Sequence, residues 1–402
     1  MSFPVGRLAK FGGLQILNAV APILVLPGVI AAVGVSGWVG FAIGFSLGAA
    51  VAVAVNFAWP VLGPARVAGR SPEDAADVYV DALGMRMTVF VPAVALGWLL
   101  AWWLTPEGHL TLSLAMTTAI AFNGLAPNWF FIGRGTAGGI VRYESIPKLV
   151  ATSAAIPLVH LTNSAMVYPM LLILAAAGGI AAANLHIAGS LIPRVHALRD
   201  LSGLRAQLPI AGAGVASSGA TALAVPIATL SGASVAVIAV FAAGTRLRSM
   251  AQAGIGAGTS GLQGWVSENG SGTLDTKRAT VALAANTAIG AVAAVGVTVV
   301  TPLVDSWIFG PDIKLSMTFS ALLGLVCLCY AISASLTNHV LAPAGMAHVV
   351  VRSTMIASVL AVPAIYALTA TWDANGAMIA VLGAEALVVL LQGLPARRVL
   401  AG

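Results

Sequence analysis

The sequence is poor in charge. Only 8% of its 402 residues are charged, 59% are hydrophobic, and the mean hydropathy is +0.97. A soluble domain carries roughly 25% charged residues, so this composition excludes an ordinary soluble globular protein. It predicts a polytopic membrane protein in which most residues belong to transmembrane segments.

Cysteines and the sequence motifs of enzymes are also scarce. Cys327 and Cys329 lie two apart in an apolar run, so they point to different helix faces. They are interpreted as packing residues, with neither a disulfide nor a metal site. The sequence has no Walker motif, no His/Glu metal spacing and no DxD-type pair of acids. Closely spaced glycines from Gly254 to Gly264 favour helix packing over a nucleotide loop. We therefore expect no enzyme, no catalytic residue, no metal and no cofactor.

The apolar segments predict an all-α fold with about twelve transmembrane helices of about 20 residues each. They lie near 11–34, 37–60, 86–104, 110–132, 147–161, 164–184, 207–229, 232–254, 279–303, 316–338, 346–370 and 374–394. The basic segment 185–206 contains no span and is interpreted as a cytoplasmic linker between two lobes, 1–184 and 207–402. Because each lobe contains an even number of spans, a repeat would relate the lobes by a parallel pseudo-two-fold axis.

The basic residues predict the topology. All Lys and Arg residues except Lys314 fall on one side of the predicted spans. Under the positive-inside rule this side is the cytoplasm, and both termini are expected there. Tryptophans fall at the expected outer ends of spans and predict an aromatic belt, formed by Trp38, Trp102, Trp103, Trp307 and Trp372.

The stretch from Asn123 to Lys148 is the first candidate for a binding site. Trp129 precedes Arg134 in this stretch, and Arg142 and Lys148 follow, between two apolar spans. Arginine suits phosphate because its guanidinium fork binds two oxygens at once. The stretch therefore suits a ligand with a phosphate at one end and a sugar or lipid at the other. The alternatives are that each cation is a topology anchor and that Trp129 is an interface anchor.

A second candidate lies at the end of the predicted eighth span. Arg246 and Arg248 are roughly 200° apart around a helix, so they cannot both face one cavity. We choose Arg246, because Ser249 and Met250 follow on its face.

Polar residues within spans complete the candidate set. They are interpreted either as ligand contacts or as hydrogen-bonding partners of neighbouring helices: Asn18, Asn56, Asn128 and Gln252. Glu385 is the acid that lies clearly at span depth, and the first six predicted spans have no carboxylate away from their ends. An ion-driven drug antiporter normally needs such an acid, so its absence there argues against that class.

These motifs resemble those of a known family. Residues 127–134 (PNWFFIGR) and 144–148 (ESIPK) resemble the fourth-to-fifth-span signature of Wzx-type polysaccharide flippases. The region from 242–246 (AAGTR) to 263–266 (QGWV) resembles their eighth span. The resemblance implies a MATE-like fold of the multidrug/oligosaccharidyl-lipid/polysaccharide (MOP) superfamily. In that fold, two six-helix lobes enclose a cavity that opens alternately to the two sides. It also makes Arg134 and Arg246 cavity-region cations, one in each lobe.

The implied function is the movement of an undecaprenyl-diphosphate-linked oligosaccharide to the outer leaflet of a bacterial plasma membrane, for polysaccharide biosynthesis. Membrane lipids, a polysaccharide polymerase and glycosyltransferases are the implied partners. Nucleic acid is not expected, because the basic residues lie singly or in pairs between spans. The chain departs from the family in its short length, its short fifth span and its Ala/Gly-rich second half.

Three alternatives remain open at this point. The first is a multidrug antiporter of the same fold, and the second is a lipid II flippase, which usually has additional spans. The third is a membrane polysaccharide polymerase, which would need a large outer loop with arginines. The expected outer connections carry only Lys314.

Overall fold

The computed structural model describes residues 5–136, 138–190, 221–266 and 275–401, with side chains from residue 21 onward. In these residues the chain is helical and forms no strand. Seven of the described helices are long and apolar enough to cross a membrane. An all-helical, multi-pass membrane protein is therefore confirmed, whereas the count of about twelve spans stays a prediction.

The helices are numbered in chain order. Those of the first half are α1 Val5–Asn56, α2 Trp59–Val67, α3 Pro72–Leu104, α4 Leu110–Ala121, α5 Asn128–Gly133, α6 Gly138–Ile140, α7 Ile146–Thr162 and α8 Val167–Ala188. Those of the second half are α9 Ala224–Leu230, α10 Val235–Val266, α11 Thr276–Phe309, α12 Met317–Ser335 and α13 Ala347–Ala401. A 3₁₀ turn, Phe122–Leu125, follows α4, and π-helical turns occupy Val141–Ser145 and Leu336–Leu341.

The two longest helices are each broken where the sequence predicts a connection between spans. In α1 the break is at Gly34, with φ 67° and ψ −171°, a conformation that glycine adopts without a steric penalty. In α13 it is at Trp372 and Asp373, and Asp373 has φ 54°. The breaks coincide with the predicted connections after residues 34 and 370.

The start of α3 is determined by local sequence. Ser71 accepts a hydrogen bond from the Asp74 backbone N–H at 3.1 Å, and Pro72 occupies the first turn. A serine N-cap, an early proline and acids in the first turn all favour a helix start. The third span, predicted from residue 86, belongs to a longer helix, because Pro72 to Leu104 form one continuous helix.

Four of the five tryptophans of the predicted aromatic belt lie on the described surface, and the belt itself stays a prediction. Trp102, Trp103, Trp307 and Trp372 are exposed on the described surface, as side chains at a membrane interface would be. Trp38 is fully buried, with its ring centroid 5.6 Å from that of Phe41. Its assignment to the belt is therefore wrong, because the ring packs inside the protein.

The chain divides into two compact units. One contains residues 28–226, and the other contains residues 1–27 and 227–402. We call them the amino-terminal and carboxy-terminal units. Most of the expected linker, 185–206, and the start of the expected seventh span lie outside the described residues. The predicted lobe boundaries stay a prediction.

Small residues let α11 and α12 approach closely in the carboxy-terminal unit. A Cβ at Gly290 would collide with Ala331, and one at Gly324 would collide with the Ala294 carbonyl region. The Asn286 amide, also on α11, donates to the Ala331 carbonyl at 2.7 Å. Small residues with occasional interhelical hydrogen bonds are typical of helix packing in membranes.

Candidate functional site

A buried arginine stabilises the break between α4 and α5, which interrupts the predicted fourth span. Arg86, on α3, is fully buried, and its Nη1 donates to the carbonyls of Gly124 at 3.1 Å and Ala126 at 3.0 Å. Pro127 holds Ala126 extended and removes an N–H, so carbonyls at the break lose their helical partners. Arg86 satisfies two of them. The sequence analysis used Arg86 only as one of the cations that predict the membrane topology.

Two indole rings lie between two arginines in the same unit. The ring centroids of Trp59 and Trp129 are 4.9 Å apart. The Arg86 guanidinium carbon lies 5.9 Å from the Trp129 ring, and that of Arg66 lies 5.1 Å from the Trp59 ring. A Cβ at Gly63 would collide with Trp129, so glycine is needed there. Trp129 is only 2% exposed, and its ring packs in the core instead of presenting a face for sugar stacking.

The predicted cations of the first candidate stretch have separate partners. Arg134 is half-exposed, and its Nη1 donates to the Arg70 carbonyl at 2.7 Å. Arg142 is exposed, with its guanidinium carbon 5.4 Å from the Tyr143 ring. Arg134 thus fixes the connection before α3 to the end of α5. Its contact with a phosphate stays a prediction.

A small pocket joins the two ends of the candidate stretch. Asn123, just after α4, and Lys148, at the start of α7, both line it, together with Tyr143 and Glu144. Lys148 Nζ contacts Glu144 Oε1 at 2.5 Å, so this lysine is already paired with a carboxylate. Glu144 Oε2 is buried without a hydrogen-bond partner in the described part of the chain. The pocket can therefore accept a hydroxyl or amide donor more readily than a phosphate.

The remaining polar candidates do not gather at this pocket. Asn128 begins α5 and is half-buried, with its Oδ1 buried and unpartnered among the described residues. Asn56 is the last residue of α1, and Gln252 lies half-buried on α10. Asn18 lies outside the residues whose side chains are described.

Arg248 is buried in the carboxy-terminal unit, the one arginine that is buried among the described residues of that unit. It is 4% exposed and interacts electrostatically with Glu385 of α13. Cys327 and Tyr330 of α12 adjoin this pair. Arg246, the residue chosen from the sequence, is half-buried on the same helix. Glu385 at span depth is the sequence feature that could have pointed to a buried arginine such as Arg248, because a carboxylate inside a membrane needs a partner.

A buried histidine links three helices of the carboxy-terminal unit. His339 is fully buried in the π-helical turn Leu336–Leu341, with Nε2 3.0 Å from the Thr259 carbonyl and Nδ1 2.7 Å from Ser335 Oγ. A carbonyl can only accept, so Nε2 carries the proton in the neutral ring and Nδ1 accepts from the serine. Thr259 Oγ1 donates to Asn286 Oδ1 at 3.1 Å. This network was not predicted from the sequence, although π-turns often mark functional sites.

The described residues include no cluster of three or more His, Cys, Asp or Glu side chains that could hold a metal ion. Cys327 is a buried free thiol and Cys329 a partly buried one. The burial of Cys327 fits its interpretation as a packing residue.

No protein-family model matches the sequence, and no curated protein matches it significantly. Solved structures do match. The inward-facing conformation of a multidrug resistance MATE transporter of the MOP superfamily has a TM-score of 0.62 at 16% identity, covering 100% of this chain and 98% of that chain. The chain has the MATE fold.

Two further structures extend the likeness. The eukaryotic MATE transporter AtDTX14 has a TM-score of 0.59 at 16% identity, covering 98% of this chain and 95% of that chain. The lipid II flippase MurJ, in an inward closed conformation, has a TM-score of 0.56 at 11% identity, covering 96% of this chain and 86% of that chain. The expected MATE-like fold is confirmed, and these neighbours are transporters and a flippase.

Proposed function

We propose that the chain is a flippase. It moves an undecaprenyl-diphosphate-linked oligosaccharide from the cytoplasmic to the outer leaflet of a bacterial plasma membrane by alternating access, for cell-surface polysaccharide biosynthesis. It acts with membrane lipids around it, and a polysaccharide polymerase and glycosyltransferases act in the same process.

The interaction of Arg248 with Glu385 carries this proposal. Export of a cationic drug requires a carboxylate that is free to bind the drug or a coupling ion. Glu385, the acid that the sequence places at span depth, lies within electrostatic reach of Arg248, an arginine of its own unit. Among the described residues of the amino-terminal unit, the fully buried charge is the cation Arg86. This distribution of charge favours an anionic cargo over a cationic one.

The fold and the sequence add separate support. The fold is that of a superfamily whose solved members include a multidrug transporter and a lipid II flippase. The 127–134 and 144–148 segments resemble those of polysaccharide flippases. We propose Arg134 and Arg246 as the cations that meet the diphosphate when the cavity is open to the cytoplasm.

The test is a flipping assay with the purified full chain in liposomes. Fluorescent undecaprenyl-diphosphate-linked oligosaccharide is placed in both leaflets, and a membrane-impermeant reductant destroys the outer fluorescence. We expect the chain to raise the reduced fraction from about half to nearly all of the label. The double variant Arg134→Ala/Arg246→Ala should stay near one half. A wild-type chain that behaves like protein-free liposomes would contradict the proposal.

A multidrug antiporter is the second candidate, because the likeness to multidrug MATE transporters covers the whole chain. The same liposomes distinguish it. An imposed pH gradient should drive ethidium across the membrane if the chain is an antiporter, and we expect no such movement. Ethidium transport without glycan flipping would replace the flippase proposal.

A further inference from the structure

The guanidinium of Arg86 is held by one nitrogen only. Nη1 donates to the Gly124 and Ala126 carbonyls, which fixes the plane of the group. Nε and Nη2 are buried and have no hydrogen-bond partner in the part of the chain that the structure describes. Nε and Nη2 form one edge of the fork, and this edge binds two oxygens of an oxyanion side by side. The contacts of Nη1 therefore orient a bidentate anion-binding edge in advance.

The rings that pack around Trp129, next to Arg86, carry further donors. The Trp129 ring lies 5.9 Å from the Arg86 guanidinium carbon, and the rings of Trp59 and Tyr79 lie 4.9 and 6.3 Å from the Trp129 ring. The indole N–H of both tryptophans and the Tyr79 hydroxyl are buried and unpartnered among the described residues. Native proteins leave few buried donors unpaired, so four such side chains in one cluster require an explanation.

The buried positive charge of Arg86 indicates what kind of group would satisfy these unpaired donors. Arg86 forms no ion pair with a described carboxylate, and it is fully buried. A buried cation is costly unless an anion compensates it. Water would satisfy the donors but would leave the charge uncompensated. An anion would accept hydrogen bonds from the donors and would also compensate the charge.

We propose that Arg86, with Tyr79 and the indoles of Trp59 and Trp129, binds one phosphate group. The sequence predicts a third span from residue 86, with its first residues on the cytoplasmic side of the membrane. Phosphate is the oxyanion that both sources supply, either as a lipid headgroup or as the free ion. The site lies within the amino-terminal unit and does not depend on the transport function proposed above.

The experiment uses the full chain purified without phosphate in an uncharged maltoside detergent. In one arm, inorganic phosphate is titrated by calorimetry. In the other arm, phosphatidylglycerol is added and native mass spectrometry counts the bound lipid. We expect one bound group per chain in at least one arm. Binding only in the first arm identifies the free ion as the ligand, and binding only in the second identifies a headgroup.

Three variants test the residues. Arg86→Gln removes the fork and should weaken binding by about ten- to a hundredfold, the effect of losing charged hydrogen bonds. Tyr79→Phe keeps the ring packing, removes one hydroxyl donor, and should weaken binding about three- to tenfold. If Arg86→Gln does not fold, Tyr79→Phe still tests the proposal. Arg66→Gln is the matched control, because this exposed arginine stacks on the same indole pair but should leave binding unchanged.

Two results would overturn the proposal. The first is that the wild-type chain binds neither phosphate nor phosphatidylglycerol. The second is that Tyr79→Phe binds as tightly as the wild type while Arg66→Gln weakens binding, since the anion would then sit at the exposed end of the stack.

Discussion

Arg248 of α10 and Glu385 of α13 interact electrostatically inside the carboxy-terminal unit, with Arg248 only 4% exposed. The pair connects two helices that are more than 80 residues apart along the chain. Each residue alone would be an uncompensated charge in an apolar setting. Because their charges are opposite, each lowers the cost of burying the other.

Removing either member of the pair should destabilise the protein more than removing both. Arg248→Gln removes the electrostatic interaction with Glu385 and should cost about 0.5–3 kcal/mol, the range of coupling between neighbouring groups. Glu385→Gln should cost a similar amount. In the double variant both charges are gone, so much of the loss should be recovered. Thermal unfolding of the four proteins in one detergent measures the cycle. Additive losses would show that the two side chains do not stabilise each other.

Glu385→Gln also tests for ion coupling. A carboxylate already compensated by Arg248 should have no separate role in transport, so flipping by this variant should persist at every pH, scaled only by the amount of folded protein. The measurement is the liposome assay over a range of pH. Loss of a proton-dependent step at normal abundance would instead make Glu385 a coupling residue and favour the antiporter.

Arg134→Ala and Arg246→Ala should each abolish export of the lipid-linked glycan while the protein still reaches the membrane. A bidentate arginine–phosphate contact contributes about 1.5–3 kcal/mol, so its loss weakens binding roughly ten- to a hundredfold. Lysine should restore export only in part, because it keeps the charge and loses the fork.

The control for these arginines is Arg142→Ala, which removes an exposed arginine of the same stretch. Export is measured in cells at matched membrane abundance. Full export by both alanine variants would remove Arg134 and Arg246 from the binding site. Full rescue by lysine would identify them as topology anchors.

Two glycine substitutions should change stability in opposite directions. A Cβ at Gly63 would meet the Trp129 ring, so Gly63→Ala should destabilise the amino-terminal unit by about 1–3 kcal/mol. Gly178 lies on α8, and a Cβ there would have no neighbouring atom within 4 Å, so Gly178→Ala should stabilise the helix by about 0.5–1 kcal/mol. The unfolding temperatures measure both. Equal shifts would contradict the tight packing of Trp129.

Both termini should lie in the cytoplasm. A phosphatase that is active only outside the cytoplasm should therefore be inactive when fused after residue 402. The matched fusion after residue 310, in the expected outer connection that carries Lys314, should be active. The opposite pattern would show an inverted topology, and activity at both sites would contradict the three spans predicted between residues 310 and 402.

The sequence by itself determined the class of protein and much of its helix order. Low charge and long apolar runs require a membrane, because no soluble core could bury so much apolar surface. The breaks at Gly34 and at Trp372 and Asp373 fell where short polar or glycine-containing segments interrupt those runs. Apolar runs and the breaks between them depend on neighbouring residues in the sequence, so they can be predicted without the tertiary structure.

Tertiary structure alone decided which polar residues are buried. In a soluble helix the apolar stripe marks the buried face, but in a membrane both the lipid-facing and the protein-facing sides are apolar. The sequence therefore contains no sign that Arg86 lies inside while Arg142 lies outside, or that Arg248 lies within electrostatic reach of Glu385. The same ambiguity placed Trp38 in the aromatic belt and left Trp129 as a candidate sugar platform. Their burial depends on neighbours that are distant in sequence, and only the packed structure supplies them.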